Sequence, residues 1–249
     1  MSSGKLPDTT SFPRPARSLH SEVVEEIARW LIEGHLVAGD LLPNEVEIVE
    51  RLGVSRTIVR EAVRTMVAKG MLQVRRRNGT VVLGEDQWSM FDRELLAWRF
   101  RYGVSEDFLE ELFRFRAGVE TMAAEFCAST PGYDATPLLE CCDAMALALQ
   151  GKGDWFAADL NFHCLLLTGA GNRFLAHLTP MLENLFDALF SPDVLVEDNM
   201  RRTLPRHRAV AEAIAAGDPA AARERMLLLV GEARDDTLQR IDLLRGDRS

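Results

Sequence analysis

The chain has 249 residues, 47% of them hydrophobic, which is enough for a substantial core in each of two domains. No stretch approaches the roughly 18 uninterrupted apolar residues of a membrane span, and the N-terminus lacks a basic-then-apolar leader, so a soluble cytoplasmic protein that avoids membranes is expected. A formal charge of −9 excludes a protein that coats nucleic acid indiscriminately, and four cysteines (Cys127, Cys141, Cys142, Cys164) without C-x-x-C spacing exclude a zinc ribbon or a disulfide scaffold.

That charge is unevenly spread. Residues 1–86 carry 12 Lys/Arg and 12 Asp/Glu, so the whole deficit falls in the remainder. Between Arg51 and Arg77 eight basic residues meet one acid, Glu61, which makes a local positive patch.

In chain order, residues 1–17 are rich in Ser, Thr, Pro and Gly and read as a flexible arm, because they offer too little apolar surface to offset the entropy of ordering. From Ser21, the apolar positions Val23, Val24, Ile27, Leu31 and Ile32 recur at helical spacing and stop at Gly34. Two more helical patterns flank Leu52-Gly53-Val54-Ser55, with Asn44 and Ser55 placed to cap them. The run MLQVRRRNGTVVLG has β-branched residues on both sides of Asn78-Gly79, a dipeptide that favours a tight hairpin turn with a basic tip. From Trp88 onward helical periodicity persists, broken near Gly103, Pro131-Gly132, Gly151–Gly153, Gly171, Pro192 and Gly217-Asp218, which predicts six or seven packed helices. The expected fold is mainly α: an arm over 1–17, a winged helix-turn-helix over 18–86, and an all-α bundle over 87–249.

A helix-turn-helix presents the N-terminal part of its second helix to the major groove. The segment from Ser55 suits that task. Arg56, Thr57, Arg60 and Arg64 fall on one side, while Ile58, Val59, Val63, Met66 and Val67 supply apolar packing. Arginine can grip a guanine edge or a phosphate with two parallel donors, and a basic tip at Arg75-Arg76-Arg77-Asn78 would form the wing. The plainer reading, that these charges merely solvate a helix and a hairpin, does not account for the helix-turn-helix pattern that carries them.

The segment LLPNEVEIVERLGVSRTIVREAVRTMVAKGMLQVRRRNGTVV, within residues 20–83, closely resembles the winged-helix signature of the GntR family of bacterial regulators. The resemblance implies DNA contacts from Arg56, Thr57 and Arg60 and from the wing at Arg76, Arg77 and Asn78. Pro43 and Glu45 match the motif before the second helix, and Val46 stands where the fatty-acid-responsive branch commonly has a DNA-contacting arginine.

In the second domain, Asp159 and His163 are one helical turn apart, so they could share a metal ion or simply hydrogen-bond to each other. RFRAGVETMAAEF, DLNFHCLLL and HRAVAEAIAAGDPAAARERM, over roughly residues 90–240, resemble the helical effector (FCD-like) domain of the FadR-type branch. That resemblance implies a divalent metal such as zinc at Asp159, His163 and His207, with Leu229 where a fourth ligand is expected. It further implies an effector carboxylate at Arg116, whose other reading is a helical ion pair with Glu120, and ligand hydroxyls at Thr203. EDQWSMFDRELLAWRF is similar to sugar-acid-responsive members. The resulting expectation is a homodimeric repressor, not an enzyme, released from double-stranded operator DNA by a small carboxylate or sugar acid. The rivals are a metal-dependent enzyme and a constitutive DNA binder that uses the helical domain only to dimerise.

Overall fold

A computed structural model describes residues 18–189 and 197–246; the expected arm at 1–17 and the Pro192 break lie outside the described residues. The chain divides into two compact units, one ending at Met90 and the other starting at Phe91.

The first unit has helices α1 (Leu19–Ile32), α2 (Glu45–Leu52) and α3 (Arg56–Ala68), then strands β1 (Leu72–Arg75) and β2 (Gly79–Val82). Each helix starts on a side chain that satisfies amides the helix leaves free: Ser18 for α1, an Asn44/Glu47 capping box for α2, and Ser55 for α3. Gly53 closes α2 at φ 68°, a backbone that admits the tight turn into α3. Val23, Val24, Ile27 and Leu31 of α1 join Ile48, Val59, Ala62 and Met66 among the buried residues of this unit. Of the apolar positions expected inward on α3, Val67 is 37% exposed, because Ala62 rather than Val67 completes the buried stripe.

The strands pair antiparallel from Leu72↔Val82 to Arg75↔Gly79, and a bridge from Leu41 to Val81 extends the sheet. The hairpin differs from the tight turn expected at Asn78-Gly79. Residues Arg76, Arg77 and Asn78 form the loop, Asn78 N–H donates to the Arg75 carbonyl, and the left-handed residues are Arg77 (φ 75°) and Gly79 (φ 84°). The three-residue loop spreads the basic tip over three exposed side chains.

Gly70 is required between α3 and β1: its φ is +73°, and a Cβ there would lie 2.1 Å from the Gln87 carbonyl oxygen. Gly70→Ala is therefore expected to cost more than about 1 kcal/mol. A lowered midpoint in the thermal unfolding of the variant checks this.

The second unit contains eight helices among the described residues: α4 (Arg93–Tyr102), α5 (Glu106–Ser129), α6 (Thr136–Ala148), α7 (Trp155–Gly169), α8 (Arg173–Ala176), α9 (Thr179–Leu189), α10 (Glu197–Ala215) and α11 (Pro219–Gly246). The count exceeds the expected six or seven because the stretch after Gly171 divides at His177-Leu178. There His177 caps α8, Thr179 Oγ1 donates to the Ala176 carbonyl, and Pro180 sits in the first turn of α9, where its missing N–H costs nothing. Helix α5 packs against α7, α10 and α11, around a core that includes Leu109, Phe113, Phe162, Leu166, Val210 and Met226. All four cysteines are free thiols. No helix among the described residues is long and apolar enough to cross a membrane.

Candidate functional site

Two chemically distinct surfaces arise, one on each unit. On the first, Arg56, Thr57, Arg60 and Arg64 of α3 are exposed, as are Arg76, Arg77 and Asn78 of the wing. The free amides at the start of α3 add partial positive charge beside Arg56 and Thr57. The arginines are not all unengaged. Arg64 pairs with Glu61 at 2.6 Å, and Arg60 Nε donates to both Glu45 oxygens at 2.8 and 3.0 Å, joining α3 to α2. The hydrogen bond from Arg60 holds the Glu45 carboxyl below its usual value against a small opposing effect of burial, and Glu45 in turn raises Arg60. Glu45 was legible only as part of a motif; its partner fifteen residues away was not. Val46 is 44% exposed at the start of α2.

On the second unit, α5, α7, α10 and α11 enclose a cavity of about 60 Å³. Its wall includes Arg116, Asp159, His163, Thr203, His207 and Leu229, six residues singled out from the sequence and drawn from four helices. Ligand atoms of Asp159, His163 and His207 all lie within 4.8 Å of one another. Asp159 Oδ1 is 3.3 Å from His163 Nε2 and 2.9 Å from His207 Nε2. The second nitrogen of each ring is also committed: His163 Nδ1 bonds Glu120, and His207 Nδ1 donates to the Thr203 carbonyl at 3.0 Å. An acceptor behind each ring fixes its orientation and directs the other nitrogen at a common point, the arrangement a zinc-binding histidine needs. Phe162 and Phe186 pack against the two rings, with centroids 5.0 to 5.7 Å away. The donor set therefore fits a divalent ion such as zinc, and Leu229, 2% exposed in the same wall, contributes no donor atom.

Glu120 was missed as a site residue; the sequence marked it only as a helical neighbour of Arg116. It is fully buried and accepts from Arg116 Nε at 2.6 Å while also bonding His163. Burial alone would raise its pKa, but Arg116 and then His163 outweigh burial and bring it to about 2. Burial would lower His163, yet Glu120 and Asp159 raise it to about 9; Asp159 is held far below the usual carboxylate range despite its own desolvation, by His207 and His163.

Arg116 is only 2% exposed, stacks over Phe113 and Phe186, and has one nitrogen, Nη1, with no hydrogen-bond partner among the described residues. Leaving such a donor unmatched in the interior costs free energy unless a ligand meets it. Both sequence readings of Arg116 thus coexist: it is paired with Glu120 and still has a donor to offer. Thr203 lines the cavity too, with its hydroxyl donating to the Asn199 carbonyl at 3.0 Å, so toward a ligand it offers oxygen lone pairs.

Comparison with known proteins follows the same division. The model of bacterial regulatory proteins of the gntR family matches residues 19–82, and that of the FCD domain matches residues 111–231. The chain is 30% identical over 224 residues to the HTH-type transcriptional regulator Mce2R of Mycobacterium tuberculosis, covering 85% of this chain and 88% of the relative. It is 26% identical over 213 residues to the galactonate operon transcriptional repressor of Escherichia coli, covering 85% and 93%. Among solved structures, Lar of Listeria monocytogenes shares the fold with a TM-score of 0.61 at 19% identity, covering 91% of this chain and 99% of that one.

Proposed function

The chain belongs to the gntR family of bacterial regulatory proteins and carries an FCD domain, and from this premise we propose a repressor that a small carboxylate, foremost a sugar acid, releases from its operator. It is a DNA-binding transcriptional regulator, not an enzyme. The observation that carries the effector reading is the buried, unmatched Nη1 of Arg116 in a cavity it shares with a compact Asp-His-His cluster.

A carboxylate suits that environment, because a fixed guanidinium offers it a charge-assisted bond. Asp159, His163 and His207 would hold the ion, and with Leu229 in the wall they leave coordination positions for water or effector. When bound, the ion supplies positive charge that attracts the anion. Thr203 accepts from the effector's hydroxyls. The similarity to a galactonate operon repressor favours an aldonic acid. The protein works in the cytoplasm, as a homodimer whose two winged helices read a palindrome, because one module buries little surface on DNA.

Fluorescence anisotropy on labelled upstream DNA tests the whole reading: a panel of aldonic and uronic acids should include one that releases the protein. Binding that no acid alters would support a constitutive binder instead. Sedimentation at micromolar concentration, with and without the DNA, should give a dimer; a monomer in both would count against the palindrome.

DNA contacts separate by variant. Arg60→Ala is expected to cost about 1–3 kcal/mol and to relax preference at one base position, because Arg60 approaches a base edge. Arg76→Ala should weaken all sequences alike and reduce the salt dependence, as loss of a phosphate contact does. Competition titrations against single-base operator variants at two salt concentrations distinguish the two patterns, and unchanged affinity in both variants would refute the placement.

A further inference from the structure

We propose that Glu120 makes effector binding conditional on the metal ion, so that the protein responds to the acid only when the ion is present. This rests on the effector and metal reading above and adds a residue, and a regulatory logic, that the reading does not contain.

The geometry is a continuous buried chain. Arg116 Nε donates to Glu120, Glu120 bonds His163 Nδ1, and His163 Nε2 and His207 Nε2 meet the same Asp159 oxygen. The side chains of Arg116, Glu120 and His163 are 1%, 0% and 4% exposed, so solvent screens little between them. Glu120 therefore does two things. It orients the ring that presents Nε2 to the ion, as second-layer carboxylates do for metal-bound histidines. It also neutralises Arg116, the one buried arginine among the described residues of the cavity wall.

Charge then decides what the cavity attracts. Without an ion, Glu120 pairs Arg116 and the Asp159 carboxylate stands beside them. No positive charge is then left unpaired for an anion. A divalent ion on neutral imidazoles changes the balance to +1, and a monocarboxylate then closes it. The remaining described ionic group of the cavity wall, Asp236, is paired with Arg202 at 2.5 Å and does not alter the sign. Removing the Glu120 charge leaves Arg116 without its paired carboxylate, which frees the guanidinium to take a ligand carboxylate without the ion.

Two opposite changes are expected in Glu120→Gln. Zinc affinity, measured on the full-length protein by competition with a chromophoric chelator, should fall about 10- to 100-fold because the His163 ring loses its carboxylate partner. Binding of D-galactonate and L-lactate, measured by calorimetry after EDTA treatment, should rise from none in the wild type to detectable in the variant. General loosening of the bundle would lower zinc affinity without creating acid binding, so a rise in one with a fall in the other marks the proposed role. Circular dichroism establishes whether the variant is folded.

The wild type supplies a test independent of that variant. Its carboxylate binding should appear on zinc reloading and vanish on stripping; equal binding in both states overturns the proposal. Unchanged zinc affinity in folded Glu120→Gln overturns it as well. If the wild type binds no zinc, or neither acid even when loaded, the underlying reading of the cavity fails, and the conditional logic with it.

Discussion

Glu120→Ala is expected to destabilise the second unit by about 3–5 kcal/mol, because truncating one partner of a buried ion pair strands the other charge. Arg116 would keep its position at 2% exposure with its carboxylate gone, and Nη1 is already unmatched. Stacking over Phe113 and Phe186, at 5.4 and 5.1 Å, is worth far less than the lost pair. The converse substitution, Arg116→Ala, strands Glu120 instead, so it tests stability as much as effector binding. The double variant Arg116→Met, Glu120→Leu should recover most of the loss, since apolar residues of similar volume often replace a buried pair at little cost. Urea unfolding of the four proteins forms a double-variant cycle. Additive losses would show that the pair does not act as a unit.

The same network sets a pH dependence in metal-stripped protein. The pKa of Glu120 falls on folding, so its contribution is complete above the ordinary value of 4.5 and is lost as pH drops toward about 2. That of His163 rises on folding, so its contribution is complete below 6.5 and is lost as pH climbs toward about 9. Stripped protein should thus unfold at the highest temperature between those limits, a trend that thermal melts across pH reveal.

Sequence periodicity carried the helices, the hairpin and the outward arginines, because those features depend on local spacing and on which face can be buried. Asp159 and His163 were visible for the same reason, being one turn apart on α7. His207 and Arg116 came only from resemblance, since convergence of α5, α7 and α10 on one cavity is a property of tertiary packing. Glu120 stayed hidden because its decisive partner, His163, is 43 residues away, and no local pattern distinguishes a bridging carboxylate from an ordinary i,i+4 pair. Glu45 illustrates the same limit: the bond to Arg60 joins two helices whose angle the sequence does not encode locally. Arg77 in a left-handed turn was likewise unexpected, because the Asn-Gly signal points to the residue pair one step later.

Saturating effector is expected to lower operator affinity about 5- to 150-fold, the range that a coupling of roughly 1–3 kcal/mol produces. An acid can release the operator only if it binds the DNA-free state more tightly than the DNA-bound one, because a ligand shifts an equilibrium by no more than its differential affinity. Linkage makes the effect reciprocal, so operator DNA must weaken effector binding by the same factor. Zinc-loaded protein is the form to use, since the cavity is held to be positive only with its ion. Calorimetric titration of the acid into free protein, and into protein saturated with operator duplex, gives one factor; anisotropy of the labelled duplex, with and without acid, gives the other. If an acid binds equally tightly in both calorimetric titrations, the cavity senses it without transmitting the signal to DNA, and repression relieved by that acid is ruled out.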